Sequence, residues 1–135
     1  MSEHTGDLLM SAARSLRRCH GAALAKWEIT RAQSRALDVV CELGSARLSV
    51  LAERLRIATR SAAEVVESLE ARGLATRNDD RYDRRATCVV ATDEGRHLQA
   101  LLDEARHAET DRFLAALSPD DRLELERILT LLVDR

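Results

Sequence analysis

From Leu69 to Gly95 the chain reads LEARGLATRNDDRYDRRATCVVATDEG, and this stretch decides the fold. A helical pattern closes at Gly73, the residue type that most easily takes the left-handed stop of a helix. The period then changes to that of a strand: Leu74–Arg77 forms one arm and Thr87–Ala91 the other. Between them, Asn78–Ala86 is polar and charged and too long for a two-residue hairpin turn. Thr92 can cap the next helix, with Asp93 and Glu94 at its positive end. A hairpin whose tip carries Arg81, Arg84 and Arg85, set against a helix end, has the form of a wing. Beside a helix pair, such a hairpin is suited to gripping DNA.

The helix pair lies immediately upstream. Ser49 is placed to cap a short helix containing Leu51, Ala52 and Leu55. After the turn Arg56-Ile57-Ala58, Thr59 is placed to cap a helix running to about Arg72, with Val65, Val66 and Leu69 facing its core. Two helices joined by so short a turn form a helix-turn-helix. Before them, Thr30 with Gln33 three residues on makes a capping box, Leu37, Val40 and Cys41 supply a buried side, and Gly44 ends the helix. Further out, Leu8, Ala12, Leu16, Cys19 and Ala23 recur at helical steps between about Thr5 and Lys26. Downstream, a helix to about Leu117 carries Leu98, Leu101, Leu102, Ala105 and Ala108 on one side. Ser118-Pro119 then restarts the chain as cap and first helical residue, and the last helix holds Leu125, Ile128, Leu129 and Leu132 in register. The expected class is therefore mainly α, an α+β winged helix-turn-helix with additional N- and C-terminal helices.

The bulk properties agree. A length of 135 residues suits a single domain. No stretch approaches the roughly 18 to 20 apolar residues that span a bilayer, and the N-terminus lacks a signal-peptide pattern, so a cytoplasmic protein is expected. Cys19, Cys41 and Cys88 are widely spaced, without a CxxC pair, which suits reduced thiols. The net charge of −2 hides an asymmetry. Residues 1–92 hold 15 Lys+Arg against 12 Asp+Glu, a balance of +3, whereas residues 93–135 hold 6 against 11, a balance of −5. A mildly basic front with an acidic rear fits one DNA-facing surface and one remote association surface. His4, His20, His97 and His107 show no i,i+4 pairing, so no metal site is expected. Nor does any nucleophile–base pair or phosphate loop point to an enzyme or to a cofactor.

With these elements in this order, the chain resembles the MarR family of winged-helix transcriptional regulators. Four places carry the likeness: Ile29-Thr30 with Gln33 and Leu37; Leu51-Ala52-Glu53-Arg54-Leu55; Val65-Val66 with Leu69-Glu70 and Gly73-Leu74; and Asp83-Arg84-Arg85 followed by Val89, Thr92 and Gly95. In the last, Ala91 stands where a leucine is usual. The resemblance implies one MarR-like domain over 1–135, with a DNA-binding winged helix at about 30–92 and dimerisation helices at about 5–26 and 93–135. It further implies a homodimeric repressor on a near-palindromic operator of double-stranded DNA, with half-sites about 34–36 Å apart.

The resemblance also assigns roles. Arg60 would contact a base or a phosphate, Thr59 and Ser61 would hydrogen-bond to the DNA, and Glu64 either turns aside or accepts from a cytosine amino group. Arg85 would enter the minor groove, oriented through Asp83, while Arg84 and Arg81 reach phosphates. Arg54, Arg56 and Arg77 are further phosphate candidates. Leu8, Leu9, Leu16, Leu123, Ile128, Leu131 and Leu132 would form the dimer interface. Relatives often bind small lipophilic effectors, and Trp27 with Arg31 or Arg35 are the residues here that could line such a cleft. Two alternatives stand beside this one: thiol-based redox sensing through Cys19, for which a thiolate needs access and positive surroundings, and a protein-interaction module that has lost DNA binding.

Overall fold

A computed structural model describes residues 2–79 and 86–134, with side chains from residue 4 onward. Six helices and three short strands follow one another: α1 (Ser2–Leu24), a 3-10 turn (Ala25–Trp27), α2 (Arg31–Leu43), β1 (Ser45–Arg47), α3 (Leu48–Leu55), α4 (Thr59–Ala71), β2 (Ala75–Asp79), β3 (Thr87–Ala91), α5 (Asp93–Phe113) and α6 (Pro119–Val133). The mainly helical winged helix-turn-helix expected from the sequence is thus the observed fold.

Two compact units divide the chain, Leu24–Glu104 and Met1–Ala23 joined by Ala105–Arg135. The first is the winged unit. Its strands form one antiparallel sheet in the order β1-β3-β2, with Ala46 opposite Val89 and Arg77 opposite Val89 from the other side. Leu37 and Val40 of α2, Leu51 of α3, Val66 and Leu69 of α4, Val89 of β3 and Leu102 of α5 are completely buried together with Ala36 and Ala62. Burying side chains of this size is worth about 1.5–3 kcal/mol each, so this unit has a core that can hold its helices in place. The second unit is different in kind. Among the described residues, every apolar side chain in the buried class belongs to Leu24–Glu104, while Leu8, Leu9, Met10, Leu123, Ile128, Leu131, Leu132 and Val133 are all exposed.

Local signals account for most element ends. Thr30 and Gln33 form the reciprocal capping box, with both bonds at 3.0 Å. Ser118 accepts from the Asp121 amide with Pro119 at the first helical position. Gly44 and Gly73 take positive φ at the ends of α2 and α4.

Several expected boundaries are corrected. Ser49 does not cap α3: that helix starts a residue earlier, at Leu48, with Arg47 in the cap position and no side-chain capping bond. The cause is β1, whose pairing with β3 delivers the chain extended as far as Arg47; a three-residue strand is too short to show alternation in the sequence. Thr59 does not cap α4 either, since Ala58 holds that position without a side-chain bond and Thr59 is the first helical residue. The first helix ends at Leu24, and the chain leaves through a 3-10 turn and a left-handed Glu28 at φ 52°. The helix after the wing ends at Phe113 instead of about Leu117.

Candidate nucleic-acid interface

The turn between α3 and α4 is built on a strained residue. Arg56 adopts φ 57°, a left-handed conformation that costs a non-glycine residue roughly 1 kcal/mol. It is held there by its amide bond to the Glu53 carbonyl at 3.1 Å and by the following Ile57 amide on the Ala52 carbonyl at 3.0 Å. This fixes the angle at which α4 departs.

Along α4 the two faces separate cleanly. Ala62, Val66 and Leu69 are buried, whereas Thr59, Arg60, Ser61, Glu64 and Glu67 are exposed. Because Thr59 is not spent on capping, its hydroxyl lies on the outward, N-terminal end of the helix beside Arg60 and Ser61. Four of the expected contact residues are thereby gathered on one solvent-facing surface.

The C-terminal end of the same helix is densely tethered. Gln33 of α2 donates to the Ser68 hydroxyl at 3.0 Å, and that hydroxyl donates to the Val65 carbonyl at 2.6 Å. The Arg72 guanidinium donates to the carbonyls of Trp27 and Glu28, at 2.8 and 3.0 Å. Past Gly73, the Thr92 hydroxyl donates to the Gly73 carbonyl at 2.6 Å, the Thr92 amide donates to the Leu74 carbonyl at 3.1 Å, and the Gly95 amide donates back to the Thr92 hydroxyl oxygen at 3.0 Å. Gly95 itself packs so closely on Leu74 that a Cβ there would overlap the Leu74 carbonyl oxygen and lie 3.0 Å from its carbon. Thr92, three residues before Gly95, is legible in the sequence as a cap; that its hydroxyl also ties the end of α4 to the start of α5 is not. Arg72 was missed altogether, although an arginine immediately before a helix-stopping glycine is well placed to reach back to neighbouring carbonyls.

Two arginines expected to meet phosphates are engaged within the fold. Arg54 pairs with Glu42 at 2.8 Å, both exposed, and Arg77 of β2 pairs with Glu70 of α4 at 2.8 Å, both partly covered. The second pair joins the recognition helix to the first arm of the wing. Arg81, Asp83, Arg84 and Arg85, at the expected tip of the wing, lie outside the described residues.

The expected effector residues are placed as follows. Trp27 is half-buried with Lys26 over its ring at 4.4 Å, Arg35 reaches the Leu55 carbonyl at 3.4 Å, and Arg31 is exposed. A recess of about 260 Å³ is lined by Arg47, Leu48, Ser49, Ala86 and Thr87, none of them among those residues. All three cysteines are of intermediate burial, and none of them is in a disulfide. Burial pushes the Cys41 thiol up, and the Asp38 carboxylate adds to the effect. Cys19 stands in α1 one residue before His20, whose ring nitrogen lies 2.9 Å from the Thr110 hydroxyl of α5. The His20 pKa is lowered, by burial first and by the Arg106 charge second.

A helix-turn-helix whose second helix turns a polar face outward, followed by a two-armed antiparallel hairpin, defines a winged helix-turn-helix protein. Residues 27–86 match the MarR family, which spans the capping box, both helices of the motif and the first part of the wing. The fold is that of solved MarR-type structures along nearly its full length. A MarR family protein from Bacillus stearothermophilus superposes with a TM-score of 0.89 at 22% identity, covering 98% of this chain and 93% of that one. Bordetella bronchiseptica BpsR, solved to explain how 6-hydroxynicotinic acid regulates its DNA binding, gives 0.82 at 25% identity, covering 100% and 96%. A variant of MarR from E. coli complexed with operator DNA gives 0.80 at 19% identity, covering 94% and 91%. No curated protein sequence matches the chain. Residues 27–86 thus match the MarR family, and the chain has the fold of MarR-type structures along nearly its full length. Among the described residues no helix is long and apolar enough to cross a membrane.

Proposed function

We propose that the protein is a homodimeric, sequence-specific DNA-binding repressor of the cytoplasm. Each α4 would enter the major groove of one half of a near-palindromic operator, and each wing would place Arg85 in the adjoining minor groove. The observation that carries this reading is the outward face of α4. Thr59, Arg60 and Ser61 are all exposed at the helix N-terminus, and none of them serves the helix as a side-chain cap.

Two copies are needed for a palindrome, and the terminal helices supply a reason to pair. Leu8 is 70% exposed, Leu123 66% and Leu131 63%, beside the other candidates Leu9, Ile128 and Leu132. Leu16 is half-buried on the same first helix. Exposed apolar side chains on two helices whose unit has no buried apolar side chain among the described residues favour an association surface. Release by a small-molecule effector is supported by BpsR, whose DNA binding responds to 6-hydroxynicotinic acid. Trp27, Arg31 and Arg35 are the residues proposed to receive an aromatic acid of that kind.

The test is fluorescence anisotropy of the full chain with duplexes from upstream of its own and neighbouring genes, over a salt series. Arg85→Ala should weaken binding roughly 5- to 150-fold, the factor that corresponds to about 1–3 kcal/mol, while leaving the dimer intact. Equal affinity of variant and parent across the series would remove the wing from the interface. An absence of salt-dependent binding to any duplex would instead favour a protein-interaction module.

A further inference from the structure

The outward face of α4 carries an arginine and two carboxylates, which is an unusual offering to a polyanion. Glu64, Glu67 and Glu70 follow one another at three-residue steps. Among the described residues, Glu70 is the member of this row held in an ion pair, by Arg77, whereas Glu64 and Glu67 are exposed without one. Arg60 and Glu64, though four residues apart, form no ion pair with each other among the described residues.

Position on the helix separates the two exposed acids. At about 100° per residue, the buried Ala62, Val66 and Leu69 point directly away from the strip between Arg60 and Glu64. Those two residues therefore stand at the summit of the exposed face. They are also in its first two turns, the part of a recognition helix that meets base edges. Glu67 lies a turn further back. Four residues at about 1.5 Å rise separate Arg60 from Glu64 by roughly 6 Å along the axis, close to two base-pair steps of ~3.4 Å.

Chemistry then selects the base. An ionised carboxylate can only accept hydrogen bonds. In the major groove guanine offers two acceptors and thymine an acceptor and a methyl group, so both repel it. Adenine offers its amino group beside the N7 acceptor, which suits an amide that can donate and accept at once. Cytosine offers the N4 amino group with no acceptor next to it.

We propose that Glu64 is a specificity-determining residue that accepts a hydrogen bond from the N4 amino group of a cytosine, about two base-pair steps from a guanine read by Arg60. The assignment rests on the DNA-binding reading above and adds the base composition of the half-site to it. Glu64 contributes rejection as much as attraction: against guanine, thymine or a phosphate its charge is repulsive, so it lowers affinity for wrong sequences.

The experiment is selection of bound duplexes from a random pool by the full-length protein, by Glu64→Gln and by Glu64→Ala. The parent should enrich a cytosine at a fixed spacing from a guanine in each half-site. Glu64→Gln should change that cytosine to adenine, and Glu64→Ala should lose the preference, the discrimination falling roughly 5- to 150-fold while binding to mismatched duplexes tightens. If both variants return the parent's sequence preferences, Glu64 reads nothing and the assignment is overturned, with DNA binding itself still standing. If the parent enriches no sequence and shows no salt-dependent binding, the DNA-binding reading fails and takes this one with it.

Discussion

Alanine at position 95 should destabilise the protein, and the sign of the effect is what makes it informative. Gly95 is the third residue of α5, where helix propensity alone favours alanine over glycine by about 0.8–1 kcal/mol. The structure opposes that gain. A Cβ there would collide with the Leu74 carbonyl oxygen, lie 3.0 Å from the Leu74 carbon and press at 3.4 Å on the Leu37 side chain, which is fully buried. The neighbour on the first side is backbone, which cannot swing away as a side-chain tip can, so α5 must lift off the start of β2. Lifting strains the 3.1 Å bond from the Thr92 amide to the Leu74 carbonyl and the 3.0 Å cap from the Gly95 amide to the Thr92 hydroxyl. Overpacking costs about 1–3 kcal/mol and a lost cap about 0.5–2 kcal/mol, which after the propensity gain leaves a net loss of roughly 0.5–4 kcal/mol. At about 3–5 °C per kcal/mol for a chain of this size, thermal denaturation at fixed protein concentration should show a Tm lower by roughly 2 to 20 °C. Gly21→Ala is the matched control, because a Cβ at that helical glycine meets nothing within 4 Å and should stabilise by up to about 1 kcal/mol. A Gly95→Ala protein that melts at or above the parent temperature would refute the close approach of α5 to Leu74.

Other perturbations test other links. Arg72→Ala removes two charge-assisted bonds to the Trp27 and Glu28 carbonyls and should cost about 1–3 kcal/mol in a denaturant titration, most of it restored by no residue with a single donor point such as lysine. Arg56→Gly relieves the left-handed strain at φ 57° and should change stability by no more than about 1 kcal/mol in the favourable direction, while salt-dependent DNA affinity, measured by anisotropy, falls if its charge meets a phosphate. Arg77→Ala breaks a partly exposed ion pair with Glu70, so stability should shift by about 1 kcal/mol or less and any larger loss should appear in DNA binding. His20 has its pKa lowered by burial and by Arg106, so the folded state favours the neutral ring. Its contribution is complete above the unfolded pKa of about 6.5 and is lost as pH falls through that value toward the lower folded one. His20→Gln, which keeps a partner for Thr110, should flatten this acid-side loss in melting curves recorded between pH 7.5 and 5.

What the sequence showed and hid follows from the range of the interactions. The capping box at Thr30 and Gln33, the Ser118-Pro119 start and the glycine stops at Gly44 and Gly73 are local chemistry between residues at most four apart, and each was readable. The arms of the wing were readable as a change of period, although the first runs Ala75–Asp79 and not Leu74–Arg77. β1 was not, since a three-residue strand exists only through its pairing with β3, more than forty residues away. The misplaced caps at Ser49 and Thr59 have a related cause. Serine and threonine near a helix start are good caps in isolation, but here the backbone enters α3 from a strand and α4 from a tight turn, and the extended cap positions fall on Arg47 and Ala58. The exposed N-terminal residues of α4 were visible as a set, while the tethers at its far end, Arg72 and Thr92 above all, depend on carbonyls distant in the sequence.

These tethers divide the recognition helix into two ends with different duties. Among the described residues, the side-chain bonds that join α4 and the turn after it to another element fall at Ser68 or beyond: Gln33 holds Ser68, Arg77 holds Glu70, Arg72 holds the carbonyls before α2, and Thr92 holds Gly73 and Leu74. The first two turns contribute only the buried Ala62 to the core and keep Thr59, Arg60, Ser61 and Glu64 uncovered. A helix clamped at one end behaves as a rigid rod, so a small tilt imposed at the clamp is magnified at the far end. With eight residue steps from Arg60 to Ser68, a rise of ~1.5 Å per residue puts that lever at roughly 12 Å, and a tilt of about 5° would then move the N-terminal end by ~1 Å. Displacement of that size is enough to break hydrogen bonds that tolerate only a few tenths of an ångström. The residues that would read DNA and the residues that set where it is read are therefore separate sets. A variant at Arg72 or Thr92 should weaken binding without changing which bases are preferred, whereas a variant at Glu64 should change the preferred base itself.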